Sequence, residues 1–400
     1  MVVFKFSLVW MMVLAGFVSM AQAEISPLPY HMDTTLPPDD KTKDADKGTP
    51  TTNLEVGAEF FGHYNTQANE GMGGLAAIMI DLDVRLNERF SFFGAFHFDS
   101  SPWHDFLNET LEQRQHTPLA YDIKLEVEEF FADWIIIPER LKIRAGRRFS
   151  RYSYANQLHL ADFEFNMKPR IYTSYWGNNH GMAIDGLSLK VKGSSGIANA
   201  ALFMEAAKNG VASEQTLFTT VLHTHFDFRY FDLGVRGFTY FDHQNETHPL
   251  FIYLDETQTS LIPLNDQLGL NAWGGSTQWF FDLSDKKSLL LQAEWINRRM
   301  GDDFYPGMYA FVQLVHSERF LTSVMYQQLD IPVIKNNQIT SQTEQVYTFG
   351  ISYFPIEWHR LRLEYSHFSN SLHHRNMILL KYTFYVHSHP LSTGHHILFL

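Results

Sequence analysis

Residues 74–86 read GLAAIMIDLDVRL, with an apolar residue at every second position from Ala76 to Leu86. Successive side chains of a β-strand point to opposite faces, so this segment predicts a strand with one apolar and one polar face. The same period of two recurs along the chain, at 53–65, 89–99, 229–243 and 358–368. The body of the protein is therefore predicted to be β-structure.

The connections between such segments indicate how the strands are arranged. About sixteen segments (a range of about 14–18) have close to the ten residues that a tilted strand needs to cross a membrane. Short turns are predicted at 87–88, 138–139, 193–196, 227–229, 284–287, 317–318 and 355–356. Longer polar connections are predicted between them, at 100–120, 150–180, 208–215, 244–266, 298–306 and 331–344. Alternating short and long connections favour a transmembrane antiparallel up-and-down β-barrel over a secreted β-sandwich.

Two further expectations refine this barrel. The segments 121–137 and 268–283 lose their alternation partway, which predicts a bulge or a covered inner face. The connection at 150–180 is long enough to fold inward and to narrow the interior as a constriction.

Composition agrees with an exported barrel. The chain has 400 residues, 45% hydrophobic and 19% charged, with no cysteine and a net charge of -13. These values exclude a disulfide scaffold and a thiolate metal site, and they argue against a nucleic-acid partner, which requires a basic surface. The 34 Phe, 18 Tyr and 8 Trp fit aromatic girdles at the two membrane interfaces.

The ends of the chain predict processing and flexible segments. Residues 1–23 have the charged start, short apolar run and Ala21-Gln22-Ala23 site of a signal peptide. Residues 24–52 are rich in Pro and Asp and predict a disordered periplasmic lead-in that is too short for the plug of a TonB-dependent receptor. The barrel is expected over 53–386, followed by a His-containing tail at 387–400.

The whole mature body resembles Gram-negative outer-membrane porin-type barrels. More narrowly, residues 156–163 (NQLHLADF), residues 181–189 and the tail from His387 resemble proteobacterial barrels labelled as zinc-regulated outer-membrane receptors. This resemblance implies a bacterial outer-membrane location, contact with outer-membrane lipid, folding by the barrel-assembly machinery and a monomer or trimer. It also implies passive uptake of small hydrophilic solutes, among them metal ions or metal complexes.

Charged residues in phase with the inner face are the candidates for a solute path. We expect basic residues on two strands and acidic residues on the early strands, which would form opposed walls, focus a transverse field and favour hydrophilic or anionic solutes. Alternatively, these residues are solvated or paired with one another. The basic candidates are Lys142, Arg144, Arg148, Arg360 and Arg362, and the acidic candidates are Glu55, Glu59, Asp81 and Asp83.

Histidines in the tail are candidates for a metal site. Imidazoles bind zinc or copper, but without cysteine or a fixed scaffold a weak surface site is the most that the tail predicts. Solvated histidines are the alternative, and no other cofactor is expected. The candidate ligands are His387, His389, His395 and His396.

A last motif suggests catalysis. The segment His367-Phe368-Ser369-Asn370 resembles the His-x-Ser-Asn segment of outer-membrane phospholipases and lipid A deacylases. That resemblance implies that His367 acts as base for Ser369, and Asn376 on the next strand could orient the imidazole. All three side chains are expected on the lipid side. A lipid hydrolase is thus the alternative to a channel that is not an enzyme, and an adhesin or structural barrel without an open interior is a third possibility.

Overall fold

The architecture comes from a computed structural model of the chain. It describes residues 50–65, 70–100, 123–157, 165, 169–171, 183–195, 197–209, 216–228, 231–242, 253–254, 271–284, 286–300, 303–317, 319–335, 338–355, 359–370 and 374–387. Within these residues, no helix is long and apolar enough to cross a membrane.

Sixteen long strands within these residues form the barrel. In chain order the strands are β1 (Thr51–Asn65), β2 (Glu70–Asn87), β3 (Phe90–Ser100), β4 (Ile123–Ile137), β5 (Leu141–Phe149), β6 (Ala183–Ser195), β7 (Ala198–Asn209), β8 (Thr216–Asp227), β9 (Asp232–Asp242), β10 (Tyr253–Leu254), β11 (Asn271–Ser284), β12 (Lys287–Met300), β13 (Asp303–Ser317), β14 (Phe320–Lys335), β15 (Gln338–Tyr353), β16 (His359–Ser369) and β17 (His374–His387). The two-residue β10 is additional to the sixteen and pairs in parallel with β14.

The barrel is closed because β1 pairs with both β2 and β17. Ala58 lies opposite Ile78 on one side and opposite Phe384 on the other. Each of the other long strands pairs antiparallel with its neighbours, and β9 pairs directly with β11. Closure leaves no unpaired sheet edge, as a barrel in lipid requires. The predicted fold class, an up-and-down barrel of about sixteen strands, is confirmed.

The two faces of each strand differ as the sequence predicts. On β13 the residues Tyr309, Phe311 and Gln313 are buried, while the positions between them are only partly covered. The outward positions around the barrel are exposed and apolar, among them Phe130, Leu187, Leu222, Trp273, Val324 and Leu363. Inward positions combine charged, hydroxyl and small apolar side chains. An apolar exterior around a polar interior is the arrangement of a membrane barrel.

Most predicted connections occur where expected, with two corrections. Short connections follow β2, β4, β6, β8, β11, β13 and β15, and they lie at one end of the barrel. The long connections predicted at 298–306 and 331–344 are wrong, because β12 and β13 are separated by two residues, as are β14 and β15. The polar residues there continue the ladder, with Lys335 opposite Gln338. Their backbone groups pair with each other in the sheet, so the short–long alternation is not strict.

The predicted irregularity in the fourth strand is present. The register between β3 and β4 shifts between Ala95 and Phe96, which leaves Glu128 as the extra residue of β4. Glu128 is buried, and its carboxylate lies 3.3 Å from Nδ1 of His97. A bulge inserts an extra residue and changes the direction of its side chain. Here it places the Glu128 carboxylate beside the inward-facing imidazole of His97.

Candidate functional site

The connection between β5 and β6 enters the barrel. Its described residues are 150–157, 165 and 169–171, and Tyr152, Ala155, Phe165 and Ile171 among them are fully buried. We call these described residues the inner loop. The predicted inward fold of this connection is confirmed for the inner loop.

Apolar packing attaches the inner loop to one half of the barrel. The ring of Tyr152 meets Phe238 of β9 edge to face at 5.3 Å between centroids, and Phe165 meets Phe311 of β13 at 5.9 Å. Both belong to one buried cluster whose strand members all come from β6–β9 and β11–β14. We call these eight strands the loop-facing wall. The strand members of the cluster are Ile184, Ala201, Phe203, Ala207, Val221, Phe238, Ala272, Ile296, Tyr309, Phe311, Met325 and Leu329.

Polar contacts hold the start of the inner loop on the same wall. Ser150 donates from Oγ to Glu205 Oε2 at 2.6 Å, and Arg236 donates from Nη1 to the Arg151 carbonyl at 3.2 Å. The Tyr154 hydroxyl lies 3.0 Å from Nε2 of His223. Each of these wall residues is buried, so these bonds to the loop take the place of bonds to bulk water.

Tyr154 is the most closely enclosed of these loop side chains. The guanidinium carbon of Arg236 lies 3.9 Å from the centre of its ring. Burial raises the pKa of the Tyr154 phenol, while the nearby Arg236 charge acts in the opposite direction. The phenol therefore keeps its proton at neutral pH and forms a hydrogen bond with His223 Nε2.

The far part of the inner loop reaches the border of the loop-facing wall. Arg362 of β16 donates from Nη1 to the Phe165 carbonyl at 2.9 Å. Arg170 donates from its backbone N–H to Gln327 Oε1 at 2.6 Å and from Nε to Glu344 Oε1 at 2.8 Å. The inner loop is thus fastened at β7–β9 and again at β14–β16.

On the remaining strands, β15–β17 and β1–β5, several polar side chains pair across neighbouring strands. Lys381 lies 2.6 Å from Glu59 Oε2, and Thr383 donates to the same carboxylate at 3.0 Å. Arg144 binds both carboxylate oxygens of Asp133, at 2.6 and 2.8 Å, and Lys142 approaches it at 2.7 Å. Because these contacts cross between neighbouring strands, we call this half the ion-paired wall.

The structure brings most predicted path residues to this wall, in a different arrangement from the one expected. The expectation of opposed basic and acidic walls fails at Glu59 and Arg144, because each pairs with an opposite charge on a neighbouring strand, Glu59 with Lys381 and Arg144 with Asp133. A buried charge without a partner is costly, and such pairing removes that cost. Of the predicted residues, Glu59, Arg144, Arg148, Arg360 and Arg362 are buried, Lys142, Glu55 and Asp81 are partly buried, and Asp83 is exposed.

Several central residues were not predicted. Asp133 and Lys381 complete the ion pairs, while Glu205, Arg236 and Glu344 fasten the inner loop. The alternation does place these side chains on the inner face. Their partners depend on strand register and on contacts between residues as far apart in sequence as Glu59 and Thr383.

The residues of the predicted catalytic motif lie on the outside of the barrel. His367 and Ser369 share the face of Leu363 and Tyr365, which are exposed to lipid. Nδ1 of His367 lies 2.7 Å from Oδ1 of Asn376, so the predicted orienting contact is present. Within the part of the chain that the structure describes, no hydrogen bond joins His367 to Ser369.

The predicted metal ligands cannot be placed. His389, His395 and His396 lie outside the described residues, and only the backbone of His387 is described. Among the described side chains, no group of three or more His, Asp or Glu is arranged to hold a metal ion.

Comparison with known proteins supports the fold. No protein-family model matches the chain, and no curated protein matches it. Among solved structures, OprB of Pseudomonas putida has a TM-score of 0.57 at 10% identity, covering 84% of this chain and 94% of that chain. An anion-selective porin from Comamonas acidovorans gives 0.52 at 8% identity, covering 84% and 99%. The trimer form of in-vitro folded OmpT, an outer membrane protein of Vibrio cholerae, gives 0.53 at 10%, covering 85% and 100%.

At these identities the likeness concerns the fold alone. The chain has the porin-type barrel fold of bacterial outer-membrane proteins. Its apolar exterior and this fold agree with the predicted location in the bacterial outer membrane.

Proposed function

We propose that the protein is an outer-membrane channel that lets small hydrophilic solutes diffuse along the ion-paired wall. One observation carries this proposal: among the described residues, the buried apolar cluster that holds the inner loop draws all its strand members from the loop-facing wall. The opposite half of the interior carries charged and hydroxyl groups, such as those of Glu59, Lys381 and Thr383, beside buried apolar side chains. Such groups can replace part of a solute's hydration shell during passage.

The route is narrow. Arg362, Glu364 and Lys381 are each less than 3% exposed, so a wide water-filled interior does not fit this conformation. Passage then requires a thin path beside the ion pairs or movement of the inner loop away from β16. Size exclusion and charge, rather than a dedicated binding pocket, would select the solutes. Zinc is worth including among the test ions because of the histidines in the tail.

The chain offers a clean test because it contains no cysteine. Four small hydroxyl side chains are almost fully buried on the inner face: Ser352, Thr383, Ser323 and Thr219. Ser352 and Thr383 lie on the ion-paired wall, whereas Ser323 and Thr219 lie on the loop-facing wall. Each is changed to cysteine, and conductance in planar bilayers is recorded before and after a cationic methanethiosulfonate reagent.

We expect the reagent to lower the current of Ser352→Cys and Thr383→Cys and to leave Ser323→Cys and Thr219→Cys unchanged. Current block only at the loop-facing positions would overturn the proposed route. A folded barrel without conductance at any salt or zinc concentration would favour the structural barrel or adhesin instead.

Assembly is part of the same proposal. We propose insertion by the barrel-assembly machinery and a monomer or a trimer; the trimer form of OmpT is the supporting comparison. Native mass spectrometry of the protein extracted in mild detergent would distinguish the two states.

A lipid hydrolase remains the second candidate function, and the contact between His367 and Asn376 favours it. Asn376 Oδ1 is an acceptor, so the imidazole proton lies on Nδ1 and Nε2 is left to accept a proton from a serine. Catalytic hydrogen bonds are often long before substrate binds, so Ser369 stays a candidate nucleophile. Acyl release from phospholipid or lipid A that disappears in Ser369→Ala would establish this activity. Undiminished release in that variant would remove Ser369 from the mechanism.

A further inference from the structure

Polar side chains form two rows on the lipid-facing side of β14–β17. The register aligns Tyr326, Tyr347, His367 and Asn376 across the four strands. Two residues further along each strand, it aligns Gln328, Gln345, Ser369 and His374. We call these eight residues the outer polar patch. It lies at the end of the barrel that carries the connection after β5, opposite the end with the short turns.

The row on the other side of the patch is apolar. Val324, Phe349, Tyr365 and Ile378 are aligned by the same register and are 53%, 44%, 43% and 37% exposed. A lipid-facing surface that changes from apolar to polar within one row marks the boundary between acyl chains and headgroups. The outer polar patch therefore stands at headgroup level in the outer leaflet.

Contacts inside the patch fix its side chains. Asn376 Oδ1 accepts from the Tyr365 hydroxyl at 2.9 Å as well as from His367. The rings of His367 and His374 stack at 6.0 Å and 10°. Neither a channel nor a barrel wall requires two stacked imidazoles at the lipid boundary.

The tyrosines and glutamines are ordered in the same way. Tyr326 donates to Gln328 Oε1 at 2.9 Å, and Tyr347 donates to Gln345 Oε1 at 3.4 Å. Because each tyrosine takes the oxygen of an amide, the amide nitrogen stays available as a donor. The two tyrosine rings lie 5.1 Å apart and form a continuous aromatic surface.

We infer that the outer polar patch binds the headgroup of a phosphorylated glycolipid in the outer leaflet. Beside a phosphate, the imidazole of His367 carries a proton on both nitrogens, so that Nδ1 keeps its bond to Asn376 and Nε2 donates to a phosphate oxygen; His374 donates to the same group. Glutamine amides donate to sugar hydroxyls, and the rings of Tyr326 and Tyr347 pack against a sugar face. The acyl chains of the same lipid then lie over the apolar row beneath.

The aromatic surface favours a sugar headgroup over phosphatidylglycerol, which offers phosphate and hydroxyls without a ring to stack. The inference does not depend on the channel, since the patch is on the outer face of the barrel. It also does not depend on hydrolysis, because binding requires no reaction at Ser369.

The barrel supplies its own control at the opposite end of the same two strands. His359 of β16 bonds through Nδ1 to the hydroxyl of Tyr382 on β17, and its ring stacks on Phe384. This pair combines histidine and tyrosine on adjacent strands like the patch, but it lies beside the short turn after β15.

The test measures lipid binding to the full barrel in phosphatidylethanolamine nanodiscs by native mass spectrometry. The probes are a bisphosphorylated diglucosamine glycolipid and phosphatidylglycerol. Loss of two hydrogen bonds to a charged group should weaken glycolipid binding about tenfold or more in His367→Ala/His374→Ala. His359→Ala should change it less than about twofold. Heat-modifiable gel mobility verifies that each variant is folded.

Equal glycolipid binding by the double variant and the unmodified protein would overturn the inference. So would equal weakening by His359→Ala, because the effect would then not belong to the patch. Equal affinity for phosphatidylglycerol and the glycolipid would mean that the patch recognises only a phosphate headgroup. That result would overturn the assignment of a sugar headgroup. Conductance recorded on the same variants is expected to stay unchanged, which separates this result from the channel proposal.

Discussion

The two halves of the barrel interior satisfy their polar groups in different ways. On the loop-facing wall, Glu205, His223 and Arg236 bond to the inner loop, which also buries its apolar side chains there. On the ion-paired wall, polar residues bond to residues of neighbouring strands, as Glu59 does to Lys381. Both walls have the same alternation in sequence. The difference shows that an inward polar residue can bond either to a segment inserted into the barrel or to a residue on a neighbouring strand.

This difference has a consequence for movement. The loop-facing wall would lose its partners if the inner loop left, whereas ion pairs between strands of the other wall, such as Lys381 with Glu59, would stay intact. The contacts of Arg362 and Arg170 at β14–β16 join the two systems. Removing an ion pair between strands should therefore mainly destabilise the barrel, and removing a contact of the inner loop should mainly loosen that loop.

The largest effect is expected from breaking the ion-paired wall. In Glu59→Leu, the ammonium of Lys381 loses its carboxylate while its side chain remains fully buried. Removing one partner of a buried pair costs roughly 3–5 kcal/mol, because the remaining charge is left without compensation. Urea unfolding of the barrel in phospholipid vesicles should show this loss of global stability.

The double variant Glu59→Leu/Lys381→Leu is the matched control. Replacing both charges by apolar groups should restore most of the stability lost in the single variant. A loss of stability below about 1 kcal/mol in Glu59→Leu would mean that water solvates the Lys381 ammonium. The stability of this wall would then not depend on its ion pairs.

Sequence patterns predicted which side chains face the interior but not the partners of those side chains. Alternation and connection length were sufficient for the barrel, the inner faces and the inward fold of the connection after β5. Pairs such as Arg144 with Asp133 depend on register, and the bond from Arg362 to the Phe165 carbonyl depends on where a long connection crosses the interior. Local periodicity contains no information about either. The end of β12, the start of β13, the end of β14 and the start of β15 were missed because polar residues at strand ends look like loop residues in a sequence.

An intermediate effect is expected from crowding the inner loop without touching the ion pairs. A Cβ atom at Gly234 would lie 2.4 Å from the Tyr154 hydroxyl, so Gly234→Ala must displace that side chain. Overpacking of this kind costs roughly 1–3 kcal/mol, and the cost should fall on docking of the loop rather than on the barrel. Hydrogen exchange should increase in residues 150–157, and the urea midpoint should change little.

Gly237→Ala on the same strand controls for the change of residue type. A Cβ atom there meets nothing within 4 Å, so exchange in the loop should stay unchanged. If Gly234→Ala lowered the urea midpoint as strongly as Glu59→Leu does, the two walls would unfold as one unit.

The smallest effect is expected at the ion pair that joins the inner loop to β15, between Arg170 and Glu344. Their side chains are 19% and 10% exposed, and the backbone N–H of Arg170 keeps its bond to Gln327 when the side chain is removed. A partly exposed ion pair contributes about 1 kcal/mol or less, and salt weakens it. A double-mutant cycle of Arg170→Ala and Glu344→Ala, measured by hydrogen exchange at residues 169–171, should give a coupling of that size at low salt and less at high salt. A coupling above about 3 kcal/mol would instead mean that the pair is effectively buried. Residues 169–171 would then be held as firmly as the start of the loop, and release of the inner loop would have to begin at Tyr154 rather than at β15.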